Sequence, residues 1–263
     1  MELIRTRPGA VWRIVLSRPD VGNAVSAPML GEMLRALEEA ASDGGARLVM
    51  LSGEGRHFCA GADIDELDLA AGTDGGADYG RSLEGVLRAI EHHRLPVLAV
   101  IHGAALGAGC QLAVACDLAV AAEDARLGIP SSRLGVVIGY ENVHRLVLAV
   151  GPKRAGAMLL SGQVLTGLEA VSWGLVNEAL PGEDLARRAE EMADAVVAGA
   201  PLSIGASKLG IRRALEYVSV DRASEGHHVA EFDRLAARAL ASDDLKEGIS
   251  AFRERREPEF KGR

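Results

Sequence analysis

A chain of 263 residues can bury one full core with a helical appendage, and its 48% hydrophobic content is that of a globular protein. Aromatic residues make up only 3%, so Leu, Val and Ala must do most of the packing. A net charge of −8 without a basic, aromatic-interleaved patch argues against nucleic acid as a partner, and no apolar run reaches the ~18 residues of a membrane span.

The opening residues carry no long apolar segment of the kind that ends in a signal-peptide cleavage site. Leu3–Arg7 and Ala10–Leu16, parted by Pro8-Gly9, predict paired strands. Arg18–Asn23 is turn chemistry. Ser26 opens a helix whose Met29, Leu30, Met33, Leu34 and Leu37 form one apolar stripe, ending at Asp43-Gly44-Gly45. Leu48–Leu51 predicts a strand and Ser52–Asp63 a loop of small residues. Ala70–Gly80 has the composition of a flexible segment, and Tyr79–His92 reads as a helix with Leu83, Val86, Leu87 and Ile90 inward. Pro96–Ile101 is short and Val-rich enough for a buried strand, Gln111–Cys116 suits a packed helix, and Leu118–Ala122 is a further strand. Gly128–Gly139 reads as a loop, followed by helices over Glu141–Val150 and Pro152–Leu160. Thr166 and Glu169 form a capping box for a helix that stops at Gly174. Beyond Glu183 the patterns over Leu185–Val197, Leu202–Tyr217, Ser224–Ala241 and Leu245–Arg256 are amphipathic and helical.

These patterns predict an α/β fold, with a βα-alternating core over residues 1–190 and a helical region over 191–263. Stripes containing Leu202, Ile204, Leu209, Ile211 and Leu215 are expected to cap the core, pack on another subunit, or both. Cys59, Cys110 and Cys116 lack metal-ligand spacing, so no metal is expected and a reduced, cytoplasmic setting is the simplest reading.

The stretch Leu95–Asp117 carries the chemistry. Its strand-like run is broken by Gly103, Gly107 and Gly109 before a helix begins. Strand, glycine turn and helix start leave backbone N–H groups pointing outward, suited to a phosphate or to a carbonyl oxygen gaining negative charge. Three readings compete. Gly107-Ala108-Gly109-Cys110-Gln111-Leu112 offers only the first half of a dinucleotide fingerprint and lacks its last glycine, which counts against that reading; a tight turn with no ligand and an oxyanion hole are the others. A second small-residue loop after a strand, Phe58–Asp63, favours the oxyanion hole.

Phe58-Cys59-Ala60-Gly61-Ala62-Asp63, followed by His102-Gly103-Ala104-Ala105-Leu106-Gly107-Ala108-Gly109-Cys110-Gln111-Leu112 and Cys116-Asp117, resembles the crotonase (enoyl-CoA hydratase/isomerase) superfamily. Weaker matches keep the family's order along nearly the whole chain: Arg18-Pro19 with Asn23-Ala24, Trp173–Asn177, and Phe252 with Phe260-Lys261-Gly262. The resemblance implies a ββα superhelical core, a C-terminal helical region assembling a homotrimer or dimer of trimers, and an acyl-CoA thioester as ligand. Coenzyme A then enters as part of the substrate, with no covalently bound cofactor. The resemblance makes the main-chain N–H groups of Ala62 and Ala108 the donors to the thioester oxygen, and counts Ala60, Gly61, Gly107 and Gly109 of the same two loops among the CoA-binding residues. The family usually has glycine where Ala108 stands; Ala keeps the N–H and adds a methyl group. A thioester becomes acidic at Cα only when its enolate is stabilised, and two aligned donors do this. Asp63 and Ile64 are placed near the adenine by the same resemblance, Val21, Gly22 and Asn23 against the CoA moiety, and Phe252 and Lys261 near a nucleotide. Asp63 reads equally well as a helix cap, and Lys261 as a solvated tail lysine.

One departure decides the chemistry. Hydratases of this family supply two glutamates, and at the matching positions this chain has Gln111 and Ser131. An amide does not titrate and an unassisted serine is a poor base, so ordinary hydration is in question. Glu141 is the candidate replacement, a single base for double-bond isomerisation or a related enolate step; it reads equally as a dipole-stabilising residue at a helix start. Asp65, Glu66, Asp68, His57 and His144 are weaker candidates that read first as surface or helix-face residues. The competing function is a carrier of long-chain acyl-CoA without hydratase activity.

Overall fold

A computed structural model describes residues 4–66, 75–218, 234, 237–238 and 241–261. Strands β1 (Ile4–Arg7) and β2 (Val11–Leu16) pair antiparallel, with Ile4 opposite Leu16, around the Pro8-Gly9 break. Strands β3 (Leu48–Gly53) and β4 (Val97–Ile101) then add in parallel to β2. Every residue of β4 is buried, as expected for the centre of a parallel sheet covered on both faces.

The chain leaves β4 for β5 (Ala104–Leu106), which belongs to a second sheet, and then enters α3 (Ala108–Ala115). Strand β6 (Leu118–Ala122) returns beside β4. Strand β7 (Arg126–Gly128) pairs parallel with β5 and antiparallel with β8 (Val164–Thr166), while β9 (Glu178–Leu180) completes the large sheet next to β6. The sheets thus run β1-β2-β3-β4-β6-β9 and β5-β7-β8. Strands β5, β7, β8 and β9 are three residues each, too short to show a period of two, and the sequence patterns miss them.

Helix α1 (Ala27–Ser42) is capped by the Ser26 hydroxyl, which accepts from the Met29 N–H, and it buries Met29, Leu30, Met33 and Leu37. It packs on α2 (Gly75–Glu91). The flexible reading of Ala70–Gly80 is corrected for residues 75–80, which form the first turns of α2; residues 70–74 lie outside the described set. Tyr79 explains the override of propensity: its ring is buried and its hydroxyl donates to the Val25 carbonyl at 3.1 Å. The helix after the glycine turn begins at Ala108 rather than Gln111. Gly128–Gly139 is likewise not all loop, since it holds the end of β7 and a short 3-10 turn at Ser131–Arg133.

Helices α4 (Tyr140–Val150), α5 (Pro152–Leu160) and α6 (Gly167–Trp173) follow, the last with the full Thr166–Glu169 capping box and a left-handed Gly174 at its end. Helix α7 (Gly182–Ala198) lies on β3, β4 and β6. Helix α8 (Pro201–Val218) is pinned by Lys208, whose Nζ donates to the Ile90 and Leu95 carbonyls and to Asp117 at 2.6–3.1 Å. Its apolar residues do not form one face: Ile204 is half-buried, while Leu202, Leu209, Ile211 and Leu215 stay exposed. Most of Ser224–Ala241, expected to be helical, lies outside the described residues, as does Asp68. Helix α9 (Asp243–Glu254) docks on the segment after Ser131, so tightly that a Cβ on Gly248 would lie 2.5 Å from the Leu134 carbonyl oxygen. No described helix is long and apolar enough to cross a membrane.

Candidate active site

Two loops run side by side where β3 and β4 end. The Phe58 and Cys59 N–H groups donate to the carbonyls of His102 and Ala104 at 2.9 Å, and the Leu106 N–H donates back to Cys59 at 3.0 Å. Side chains would keep these strands of backbone apart. A Cβ on Gly109 would lie 2.3 Å from the Cys59 carbonyl oxygen, and one on Gly107 would lie 3.7 Å from the Cα of Gly61. Both Gly61 (φ 132°) and Gly107 (φ 53°) also occupy backbone conformations that favour glycine.

Ala62 and Ala108 directly follow these two abutting glycines. Among the described residues neither N–H has a hydrogen-bond partner, and both residues line one cavity of about 1030 Å³. On that wall also stand Ala60, Gly61, Asp63, Ile64 and Gly107 from the two loops, with Val21 at the turn beneath them. Gln111, Ser131, Glu141 and Phe252 complete the set of candidates that the fold gathers from distant parts of the sequence.

Four candidates lie elsewhere. Gly22 packs behind the wall, where a Cβ would meet that of Ala60 at 3.0 Å. Asn23 is fully buried at φ 57° and fastens the turn: its Nδ2 donates to the carbonyls of Glu54 and His57, and its Oδ1 accepts from the Arg18 N–H. Gly109 is buried against Cys59. Lys261 sits among Asp243, Asp244, Glu247 and Glu259 on the surface, away from the cavity.

The charged groups of the cavity sort themselves by partner. Asp63 accepts from the Asp65 N–H at 3.1 Å, in agreement with its cap reading, and also pairs with the Arg18 guanidinium at 2.9 Å. Asp65 pairs with Arg253 at 2.7 Å, while nearby Glu66 accepts from the Ala27 N–H at the start of α1, which gives these two carboxylates structural roles. Glu84 pairs with Arg145 and Arg88. Among the described residues that line the cavity, Glu141 is the one carboxylate with no hydrogen bond or ion pair. His57 is stitched into the loops, its Nδ1 accepting from the Ala104 N–H, and His144 stacks on Tyr140. The Cys59 and Cys110 thiols are pushed up to about 12 by burial, so neither is a nucleophile.

Sequence patterns do not reveal the residues that brace α4 where it lines the cavity. Arg145 spends all of its guanidinium N–H groups: Nε and Nη2 on Glu91, Nη1 and Nη2 on Glu84, and Nη1 on the Asn142 Oδ1, at 2.6–2.9 Å. Burial opposes its charge, but the hydrogen bonds to Glu84 and Glu91 outweigh that and hold its pKa above the ordinary arginine value. The legible signal is the spacing of Asn142 and Arg145 on one face of α4; the carboxylate partners of Arg145 on α2 are 54 and 61 residues away.

The family described as enoyl-CoA hydratase/isomerase matches residues 6–263. The chain is 35% identical to the 2,3-dehydroadipyl-CoA hydratase of Escherichia coli (strain K12), covering 100% of this chain and 99% of that protein. It is 37% identical to a probable enoyl-CoA hydratase of Bacillus subtilis (strain 168), covering 91% of each. A solved enoyl-CoA hydratase/isomerase structure from Xanthobacter autotrophicus Py2 superposes with a TM-score of 0.86 at 31% identity, covering 96% of this chain and 93% of that one. A methylmalonyl-CoA decarboxylase, at 23% identity and TM-score 0.89, shares the fold. The chain therefore belongs to the enoyl-CoA hydratase/isomerase family.

Proposed function

We propose that the protein binds an acyl-CoA thioester and stabilises its enolate between the N–H groups of Ala62 and Ala108, with Glu141 carrying the proton. What supports the reading above all is the pair of partnerless N–H groups following two abutting glycines on one cavity wall. As Glu141 removes a proton from Cα, charge moves onto the thioester oxygen, where two preorganised donors meet it. The carboxylic acid so formed returns the proton to Cα, or to Cγ when the double bond is to move. Gln111 and Ser131 line the same cavity but titrate nowhere near neutral pH, so the reading favours enolate chemistry over two-carboxylate activation of water. Residues 1–190 do this work in our reading. Residues 191–263 close the cavity with Phe252 and, through the exposed apolar residues of α8, assemble a homotrimer or dimer of trimers.

Exchange of the Cα protons of butyryl-CoA in deuterated water, followed by NMR, tests the reading without requiring a product. Exchange by the wild-type protein that Glu141→Gln abolishes is the expected result. Bound thioester without exchange would leave a binding protein and overturn the enolate step; light scattering checks the assembly.

A further inference from the structure

The N–H groups of Ala62 and Ala108 are held in different ways. A trans peptide is planar and carries its C=O and N–H on opposite sides, so whatever grips the carbonyl of one residue aims the N–H of the next. The Gly107 carbonyl accepts from the Gln111 N–H at 3.0 Å, and so the first turn of α3 aims the Ala108 N–H. Ala62 lies outside any helix. There the Gly61 carbonyl accepts from the Val25 N–H at 2.8 Å, and the Val25 carbonyl accepts from the Asp63 N–H at 2.9 Å, a one-residue parallel bridge across Ala62. The Val25 carbonyl has a second lone pair, and the Tyr79 hydroxyl on α2 donates to it at 3.1 Å. Tyr79 is buried and lines the cavity with Gly61, Ala62 and Asp63. Burial raises its pKa above the ordinary phenol value, so the hydroxyl keeps the proton it donates.

We propose that Tyr79 is a positioning residue for the Ala62 donor: by fixing the Val25 carbonyl it fixes the bridge that aims the Ala62 N–H, doing for this donor what the first turn of α3 does for Ala108. The inference rests on the enolate reading above and adds to it the side chain through which one of the two donors is set. Two hydrogen bonds to one residue leave the Gly61–Ala62 peptide free to rock about the bridge. A third partner, anchored on a separate helix, removes that freedom. Hydrogen bonds weaken steeply as they bend, and the loss is larger where the oxygen carries charge than where it is a neutral carbonyl. A rotated Ala62 N–H therefore costs more in the transition state than in the bound thioester, and the missing hydroxyl is felt in turnover rather than in binding.

The test is Tyr79→Phe, which removes a single oxygen atom. The Asp63 N–H still satisfies the Val25 carbonyl, so the variant leaves no buried acceptor unpaired and is expected to fold. Two readouts are taken with butyryl-CoA carrying carbon-13 at its carbonyl: the infrared stretch of the bound carbonyl, and Cα-proton exchange at saturating thioester. Binding to the wild-type protein is expected to lower the stretching frequency, because two donors polarise the carbonyl. In Tyr79→Phe that fall is expected to shrink and saturated exchange to slow about tenfold, while the half-saturating concentration changes by less than about threefold. Thr166→Ala, which weakens a distant helix cap, should leave the bound frequency and the exchange rate as in wild type. A Tyr79→Phe protein with the wild-type frequency, whatever its turnover, overturns the positioning role while leaving the enolate reading intact. A change confined to the half-saturating concentration makes Tyr79 a ligand contact and overturns that role as well. A wild-type complex with no fall in frequency overturns the donor pair and this inference with it.

Discussion

Two kinds of group line the cavity in the proposed reading: main-chain amides that follow Gly61 and Gly107, forming a main-chain wall, and the side chain of Glu141 on α4, forming a side-chain wall beside Asn142 and its Arg145 brace. The first wall is made of backbone packed against backbone, so the identity of Ala62 or Ala108 matters less than the absence of side chains around them. The second wall is made of side chains on helices that would form without them, so its chemistry can be erased while the fold stays. Substitutions on the two walls should therefore fail in different ways: the first through stability and geometry together, the second through chemistry or local charge.

The largest expected effect lies on the side-chain wall. Glu141→Gln removes the unpaired carboxylate and should slow Cα-proton exchange by about 10²–10⁴-fold. Its stability should fall by no more than about 0.3–1 kcal/mol, the worth of a carboxylate in the first turn of α4, because that carboxylate makes no hydrogen bond or ion pair. On the main-chain wall, Gly109→Ala pushes a methyl group to 2.3 Å from the Cys59 carbonyl oxygen, backbone that cannot rotate away. It should cost about 3 kcal/mol in urea unfolding and lower proton exchange as well, because the loops bearing Ala62 and Ala108 must separate. A Gly109→Ala protein with full stability would break the distinction between the walls.

Arg145→Met tests the brace. It leaves Glu84 and Glu91 without their shared counter-charge, in side chains that are only 21% and 28% exposed. A loss of about 2 kcal/mol is expected, less than for a fully buried pair because water reaches both carboxylates. Differential unfolding of Arg145→Met and of the triple variant with Glu84→Gln and Glu91→Gln sharpens the point: the triple variant should recover part of the loss, since uncompensated charge rather than lost packing is the cause.

What the sequence reveals divides along the same line. Ser26, Thr166 and Gly174 declare their helix ends because a cap is a local event, decided within four residues. The glycine turns of the main-chain wall are legible for the same reason, since a close backbone approach excludes every other residue at that spot. The three-residue strands β5, β7, β8 and β9 exist only through their partners and leave no pattern. Asn23 misleads because the family resemblance sets the whole 21–23 turn against the CoA moiety, whereas the burial that makes this asparagine a fastening depends on partners 31 and 34 residues away. The Arg145 brace joins α4 to α2 across 54 and 61 residues, and charges on two amphipathic helices do not announce which of them will face each other.

The smallest expected effect separates stability from activity. Thr166 closes β8 and caps α6; its hydroxyl accepts from the Glu169 N–H at 3.2 Å while Glu169 accepts from the Thr166 N–H at 2.7 Å. Thr166→Ala removes half of this box and should lower stability by about 1 kcal/mol, about 2–4 °C in Tm for a chain of this size. Strand β8 reaches the main-chain wall only through β7 and β5, and Thr166 pairs with Arg126 at the end of the ladder remote from Gly128, whose carbonyl accepts from the Gly107 N–H. Proton exchange below the transition should therefore match wild type within about twofold. If this mild, distant loss of stability slowed exchange as much as Gly109→Ala, the main-chain wall would be sensitive to stability in general rather than to the contact between its two loops.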